Sequence, residues 1–234
     1  MRAVGLRNCD LETFGAYREA MEATSGIRFT ELHPYRGDPF PDPAEIDVLL
    51  VGGTPDAAYE ADQHPYLNAE IDFLREVVAR QIPTLGICCG AQLLALVLGG
   101  EVESASDREI GSYDVQLTAA GRASDILRGM PSVLPVFHWH ADTFSVPPGA
   151  ELLITGSPCR NQMYQSGVNF GVQFHLETSA AEAQAWATAY EEELTAARGP
   201  GIDIGAEASL YEIDRLRFAA VLVANLLRLA ASPN

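Results

Sequence analysis

The chain has 234 residues, 47% of them hydrophobic, and a formal net charge of −17 from 32 acidic against 15 basic residues. That length holds one substantial α/β domain without an added synthetase of ordinary size, so the expectation is a single domain over residues 1–234. The acidic balance disfavours a phosphate-backbone partner, and because every basic residue is arginine, Schiff-base chemistry and a Walker-type phosphate loop are excluded.

No stretch is long and apolar enough to suggest a membrane span. Residues 1–8 meet a charge and a polar group too early for a signal-peptide core. Cys9, Cys88, Cys89 and Cys159 form no disulfide framework, so reduced thiols and a cytoplasmic location are expected.

In chain order, the first half alternates apolar runs with amphipathic stretches. Strands are expected over 3–6, 28–32 and 47–51, helices over 12–23 and 68–80, a strand ending at Cys88, and a helix at 93–98 after it. This is a parallel α/β pattern, whose sites lie at the carboxyl ends of strands. From 101 to 174 the runs become shorter and β-rich, at 113–117, 133–139, 151–155, 162–165 and 169–174. They point to an antiparallel section at the edge of an open, mostly parallel sheet flanked by helices. Two helices should close the chain, 179–197 and 206–231, divided at Arg198-Gly199-Pro200-Gly201. Leu210, Ile213, Leu216, Ala220, Val223 and Leu227 recur at three or four residues and mark the expected buried stripe of the last helix.

Two places carry chemistry. Cys88 sits between an apolar strand and a helix, flanked by glycines, in Gly86-Ile87-Cys88-Cys89-Gly90-Ala91-Gln92. Free cysteines are usually small core groups, but a thiol at a helix N-terminus meets unpaired N–H groups and a dipole that favour its thiolate. Downstream, Gly171-Val172-Gln173-Phe174-His175-Leu176-Glu177 places a histidine and a carboxylate two residues apart in a β-like run, hence on one face. His175 could take the thiol proton while Glu177 fixes the imidazole tautomer. His138 and His140 suggest a metal site only weakly, because i, i+2 histidines lack two further ligands at customary spacing, and no metal is expected. Glu109 reads as solvated loop surface. His33 and His64 carry no assignable chemistry.

The Cys88 segment resembles the G-x-C-x-G-x-Q nucleophile motif of class I, triad-type glutamine amidotransferases, and the His175 segment resembles that family's G-x-Q-F-H-x-E. Between them, Val136-Phe137-His138-Trp139-His140-Ala141-Asp142 is similar to the glutamine-pocket stretch of the GMP-synthetase-like branch. Upstream, Val51-Gly52-Gly53-Thr54-Pro55 resembles its G-G-P oxyanion loop with one residue inserted, which makes Gly52 or Gly53 the donor, Gly53 being favoured.

The resemblance implies a Cys88–His175–Glu177 triad, with oxyanion donors in the backbone of Cys89 and Gly53. It also implies a glutamine pocket bordered by Gln92, Trp139 and His140, and no cofactor. It implies hydrolysis of the glutamine side-chain amide through a cysteine thioester, with ammonia passing to a separate synthetase or amidating partner. A self-sufficient γ-glutamyl peptide or conjugate hydrolase and a non-catalytic binding module on the same scaffold are the alternatives. The residue after the nucleophile is a departure: Cys89 stands where the family more often has a bulky apolar side chain.

Overall fold

A computed structural model describes residues 1–231; the last three residues of the expected domain lie outside the described part. Nine strands form one sheet: β1 (Arg2–Leu6), β2 (Arg28–Leu32), β3 (Val48–Val51), β4 (Thr84–Ile87), β5 (Val102–Leu117), β6 (Val133–Phe144), β7 (Glu151–Thr155), β8 (Asn161–Ser166) and β9 (Asn169–Val172). Their order is β2-β1-β3-β4-β9-β8-β7-β5-β6. The first five are mutually parallel, and from β9 onward every pairing is antiparallel. The open α/β sheet flanked by helices, parallel on one side with an antiparallel section at its edge, is as the sequence suggests, the antiparallel section being as large as the parallel one.

The helices are α1 (Gly15–Ala23), α2 (Pro65–Ala79), α3 (Cys89–Val97), α4 (Ala119–Ala123), α5 (Ala180–Ala189), α6 (Glu191–Arg198), α7 (Ile204–Ser209) and α8 (Glu212–Ala231). β3 and β4 are buried along their whole length, because successive side chains enter different cores. Val48 and Leu50 join Tyr17 and Met21 of α1 and Phe218 and Leu222 of α8. Leu49 and Val51 join Leu67, Leu74 and Val77 of α2 and Leu93 of α3. At about 1.5–3 kcal/mol for each fully buried Leu, Val or Phe, these two layers hold the parallel half together.

The closing helices differ from their sequence reading. The expected helix 179–197 breaks at Tyr190, whose φ of −114° and ψ of 37° leave the helical region. The expected helix 206–231 is likewise two pieces, and its buried stripe is rotated. Leu210 and Ile213 are 72% and 85% exposed and Ala220 is exposed, while Phe218, Ala219, Leu222, Val223, Leu226 and Leu227 are buried. Arg215 accounts for much of the shift. It is fully buried, its guanidinium donating to the carbonyls of Ala208 at 2.7 Å and Thr178 at 3.2 Å and lying over the Phe137 ring. A hydrophobic count gives that position to solvent, but the two carbonyls that accept from its terminal nitrogens and the ring beneath it offset part of the cost of burial, with Nε left unpartnered.

Other boundaries move less. The first helix starts at Gly15, leaving Glu12 in a loop, and the helix after the elbow begins at Cys89. The strand expected at 113–117 is the end of the sixteen-residue β5, and β9 stops at Val172.

A buried acid on α2 has a measurable consequence. Glu70 is fully buried and burial pushes its pKa up from the usual 4.5 to about 8, opposed by a hydrogen bond from Asn8. The unfolded chain loses this proton near 4.5 and the folded chain only near 8, so the native state binds more protons between those values. Stability should then fall as pH rises from about 5 to about 8 and level off above. Glu70→Gln should flatten that slope, by several kcal/mol at most on an order-of-magnitude reckoning from the shift; denaturant titrations of both proteins at pH 5 and 8 would show it. Equal slopes would place Glu70 ionised in the fold.

Candidate active site

The site forms where the carboxyl ends of β3, β4 and β9 lie side by side. Cys88 follows β4 directly and caps α3 with φ 53° and ψ −114°, a conformation that costs a non-glycine residue roughly 1–3 kcal/mol. Surrounding bonds hold it there. Its N–H donates to Val172 O at 2.8 Å, and its carbonyl accepts from Ala91 and Gln92. The glycine spacing has a steric cause: a Cβ on Gly86 would lie 2.5 Å from Gly90 O, and one on Gly90 would lie 2.2 Å from Val51 O. Strand, elbow and the end of β3 can approach this closely only without those side chains.

His175 lies three residues past the end of β9, not inside a strand as its sequence context suggests. An isolated antiparallel bridge holds it instead: His175 N–H donates to Phe137 O at 2.7 Å, and Phe137 N–H returns a 3.1 Å bond to His175 O. That bridge brings the middle of β6 against the end of β9. His175 Nδ1 meets Glu177 Oε1 at 2.6 Å, and the ring packs edge-on against Trp186 with centroids 5.0 Å apart.

Burial opposes a charge on His175, but the Glu177 carboxylate, which also binds Nδ1, and the nearby Cys88 thiol outweigh it and raise the imidazole pKa well above its ordinary 6.5. Burial raises the Cys88 thiol, with His175 pulling it back down. Nε2 of His175 is the ring nitrogen that Glu177 does not hold, and it makes no hydrogen bond, to Cys88 included. Such bonds often tighten only when substrate binds.

The neighbouring thiol is different in kind. Cys89 lies in the apolar layer with Val51 and Leu93, and burial, followed by the charges of Cys88 and Glu12, raises its pKa well above 9. Its N–H opens the first turn of α3, where backbone donors have no partner within the helix. Of the two loop glycines, Gly52 donates its N–H to Leu6 O at 2.9 Å and is committed to the sheet. Its carbonyl is held by Asn8 Nδ2 at 3.3 Å, and the same amide group donates to Glu70. A trans peptide points its N–H opposite to its C=O, so the Asn8 contact turns Gly53 N–H away from Asn8.

The cleft beside Cys88 is lined by Glu12, Thr54, Pro55, Asp56, Cys89, Gln92, Trp139, His140, Ala141, Asp142, Tyr190 and Glu193. Gln92, Trp139 and His140 all fall there. Gln92 is also satisfied by the protein itself, donating to Asp142 O and Gln173 Oε1, both at 3.2 Å. The His140 ring turns into the wall, with Nδ1 2.9 Å from Asp142 O and Nε2 2.9 Å from Glu109 Oε2. Glu109, expected as solvated surface, is 1% exposed. It faces inward because β5 pairs with β6 again after a register shift between Ser104 and Glu109, which sets Glu109 opposite His140.

Sequence reasoning passed over several residues around the thiol. Gln173 donates to Cys88 Sγ at 3.7 Å; it was visible as the Q of its motif, but its role depends on packing. Glu12 enters from the loop after β1, where burial and nearby charges raise its pKa to about 7. Tyr190 and Glu193 reach the cleft because the helix breaks, and Glu193 accepts from Trp139 Nε1 at 3.1 Å.

A cysteine at a strand-to-helix elbow, a buried His–Glu pair and a glycine loop thus lie together at the carboxyl ends of strands in an open α/β sheet. Comparison with known proteins gives the family. The model for glutamine amidotransferase class-I matches residues 26–188. The chain is 31% identical over 194 residues to a glutamine amidotransferase-like protein, YfeJ, of Salmonella typhimurium, covering 80% of each chain. It is 32% identical over 159 residues to the glutamine-hydrolysing GMP synthase of Bacillus velezensis, covering 66% of this chain and 29% of that protein. The crystal structure of a glutamine amidotransferase from Thermotoga maritima superposes with a TM-score of 0.88 at 29% identity, covering 99% of both chains. The chain belongs to the class I glutamine amidotransferase family. It spans less than a third of the length of the GMP synthase it matches.

Proposed function

We propose that the protein hydrolyses the side-chain amide of glutamine and supplies ammonia to a separate synthetase or amidating partner. The observation that carries this reading is the convergence of Cys88, at a strained helix N-terminus, with the Nδ1–Glu177-anchored His175. Cys88 Sγ attacks the amide carbon of glutamine as its proton passes to His175. The N–H groups of Cys89 and Gly53 hold the developing oxyanion, and the imidazolium then protonates the departing ammonia. A γ-glutamyl thioester remains on Cys88, and water activated by His175 releases glutamate. Glu177 holds the imidazole orientation throughout.

The cleft wall suits an amino acid that enters side chain first. Asp56 and Glu193 offer negative charge to the substrate ammonium, beside Glu12 and Asp142, whose carboxyl pKa burial raises, while no arginine lines the cleft and the chain has no lysine. The substrate carboxylate then depends on backbone N–H groups in the 140–142 stretch. The same charge pattern favours a second reading, a γ-glutamyl conjugate hydrolase whose leaving amine is itself cationic.

The two readings separate in one experiment. With a candidate partner present, Cys88→Ala should lose glutamine-dependent product while added ammonium salt restores it. Failure of ammonium with an intact partner, together with faster wild-type turnover of γ-glutamyl diamines than of glutamine, would replace the first reading by the second.

A further inference from the structure

Behind the cleft wall, Glu109, His138 and His140 place one carboxylate oxygen and two imidazole nitrogens within 4.8 Å of one another, all three residues buried. We propose that this cluster binds one divalent ion of the zinc type, linking β5 to β6 beneath the cleft. The His138–His140 spacing alone carried little weight. The third ligand comes from the paired strand, where sequence spacing cannot show it.

The atom positions suit such an ion. Zinc bonds of about 2.0–2.1 Å in a tetrahedron set neighbouring ligand atoms about 3.3 Å apart. Glu109 Oε2 lies 2.9 Å from His140 Nε2 and 3.7 Å from His138 Nδ1, values that bracket this spacing. Two imidazoles and one carboxylate favour zinc over magnesium or calcium, which prefer all-oxygen shells.

The surroundings are those of ligands held from behind. Asp142 O is a carbonyl and can only accept, so His140 Nδ1 carries a proton and Nε2 is the nitrogen turned to Glu109. Glu109 receives Gln162 Nε2 at 2.8 Å on Oε2 and the Cys159 N–H at 3.3 Å on Oε1, which leaves Oε2 a further lone pair. His138 is the independent observation. Its ring is wholly buried between Tyr113, His140 and Phe174, and neither nitrogen has a hydrogen-bond partner. A buried imidazole with both nitrogens unmet is costly, and a metal bond satisfies one of them. Entry runs past His140, which borders the cleft.

The hydrogen bond between His140 Nε2 and Glu109 contains one proton shared by the pair. An ion that takes both atoms must displace it, so binding releases one proton per metal.

Zinc chloride added to chelator-treated wild-type protein tests this. The expected result is one zinc retained per chain after desalting, a higher melting temperature, and one proton released per zinc in weakly buffered solution. His138→Gln should keep its circular dichroism spectrum and lose zinc retention, and Glu109→Gln should lose it too. A Cys88→Ala/Cys89→Ala double variant should retain zinc. No zinc kept by the wild type, undiminished retention in His138→Gln, or loss confined to the cysteine double variant would overturn the proposal. The proton count on the wild type does not depend on any variant folding.

Discussion

Cys88→Ala should abolish glutamine hydrolysis, lowering kcat by about 10⁴-fold or more, while Cys89→Ala keeps most of it. The two thiols are adjacent in sequence but point into different surroundings. Cys88 Sγ contacts Gln173 and Trp139 O, whereas Cys89, which also borders the cleft, has its Sγ 3.5 Å from Asp56 O and packs in the apolar layer with Val51 and Leu93. What Cys89 offers is its N–H, which alanine retains. Both variants should fold, since each removes one sulfur and leaves the elbow backbone intact. A dead Cys89→Ala beside an active Cys88→Ala would mean that the elbow presents the other thiol.

The next largest effect is expected at the base. His175→Ala removes the imidazole that pulls the Cys88 thiol pKa back down, and the loss should approach that of Cys88→Ala. Glu177→Gln keeps a hydrogen-bonding group 2.6 Å from Nδ1 but not the charge that raises the imidazole pKa, so a smaller loss of roughly 10³–10⁴-fold is expected. A glutamine-analogue electrophile that alkylates thiols should label the wild type fastest, Glu177→Gln slowly and His175→Ala slowest. Equal labelling rates would mean that neither side chain activates Cys88.

What the sequence made legible follows from short-range geometry. Gly86 and Gly90 flank Cys88 at fixed spacing because their missing Cβ atoms let β4, α3 and the β3 loop touch, and that spacing is readable without a structure. The i, i+2 relation of His175 and Glu177 is similarly local, although an isolated bridge to Phe137 replaces the expected strand. The parallel half of the sheet was legible from whole runs of apolar residues such as Val48–Val51.

Long-range register was not. Glu109 looks like any charged loop residue until the shift in β5 sets it opposite His140, and Glu12 looks like the start of a helix until that helix begins at Gly15. The phase of α8 depends on carbonyls of Thr178 and Ala208 that capture Arg215, partners outside α8 that its own periodicity does not show. That Gly52 N–H belongs to Leu6 O is likewise a pairing between strands distant in the chain, which the loop's own residues do not show.

The most direct measurement of the central claim is acid quenching of the wild type during turnover of glutamine, followed by peptide mapping with fragmentation between residues 88 and 89. The mechanism predicts a γ-glutamyl adduct on Cys88 that hydroxylamine removes and that is absent from Cys88→Ala. An adduct on Cys89, or sustained glutamate release in Cys88→Ala at the wild-type rate, would contradict it.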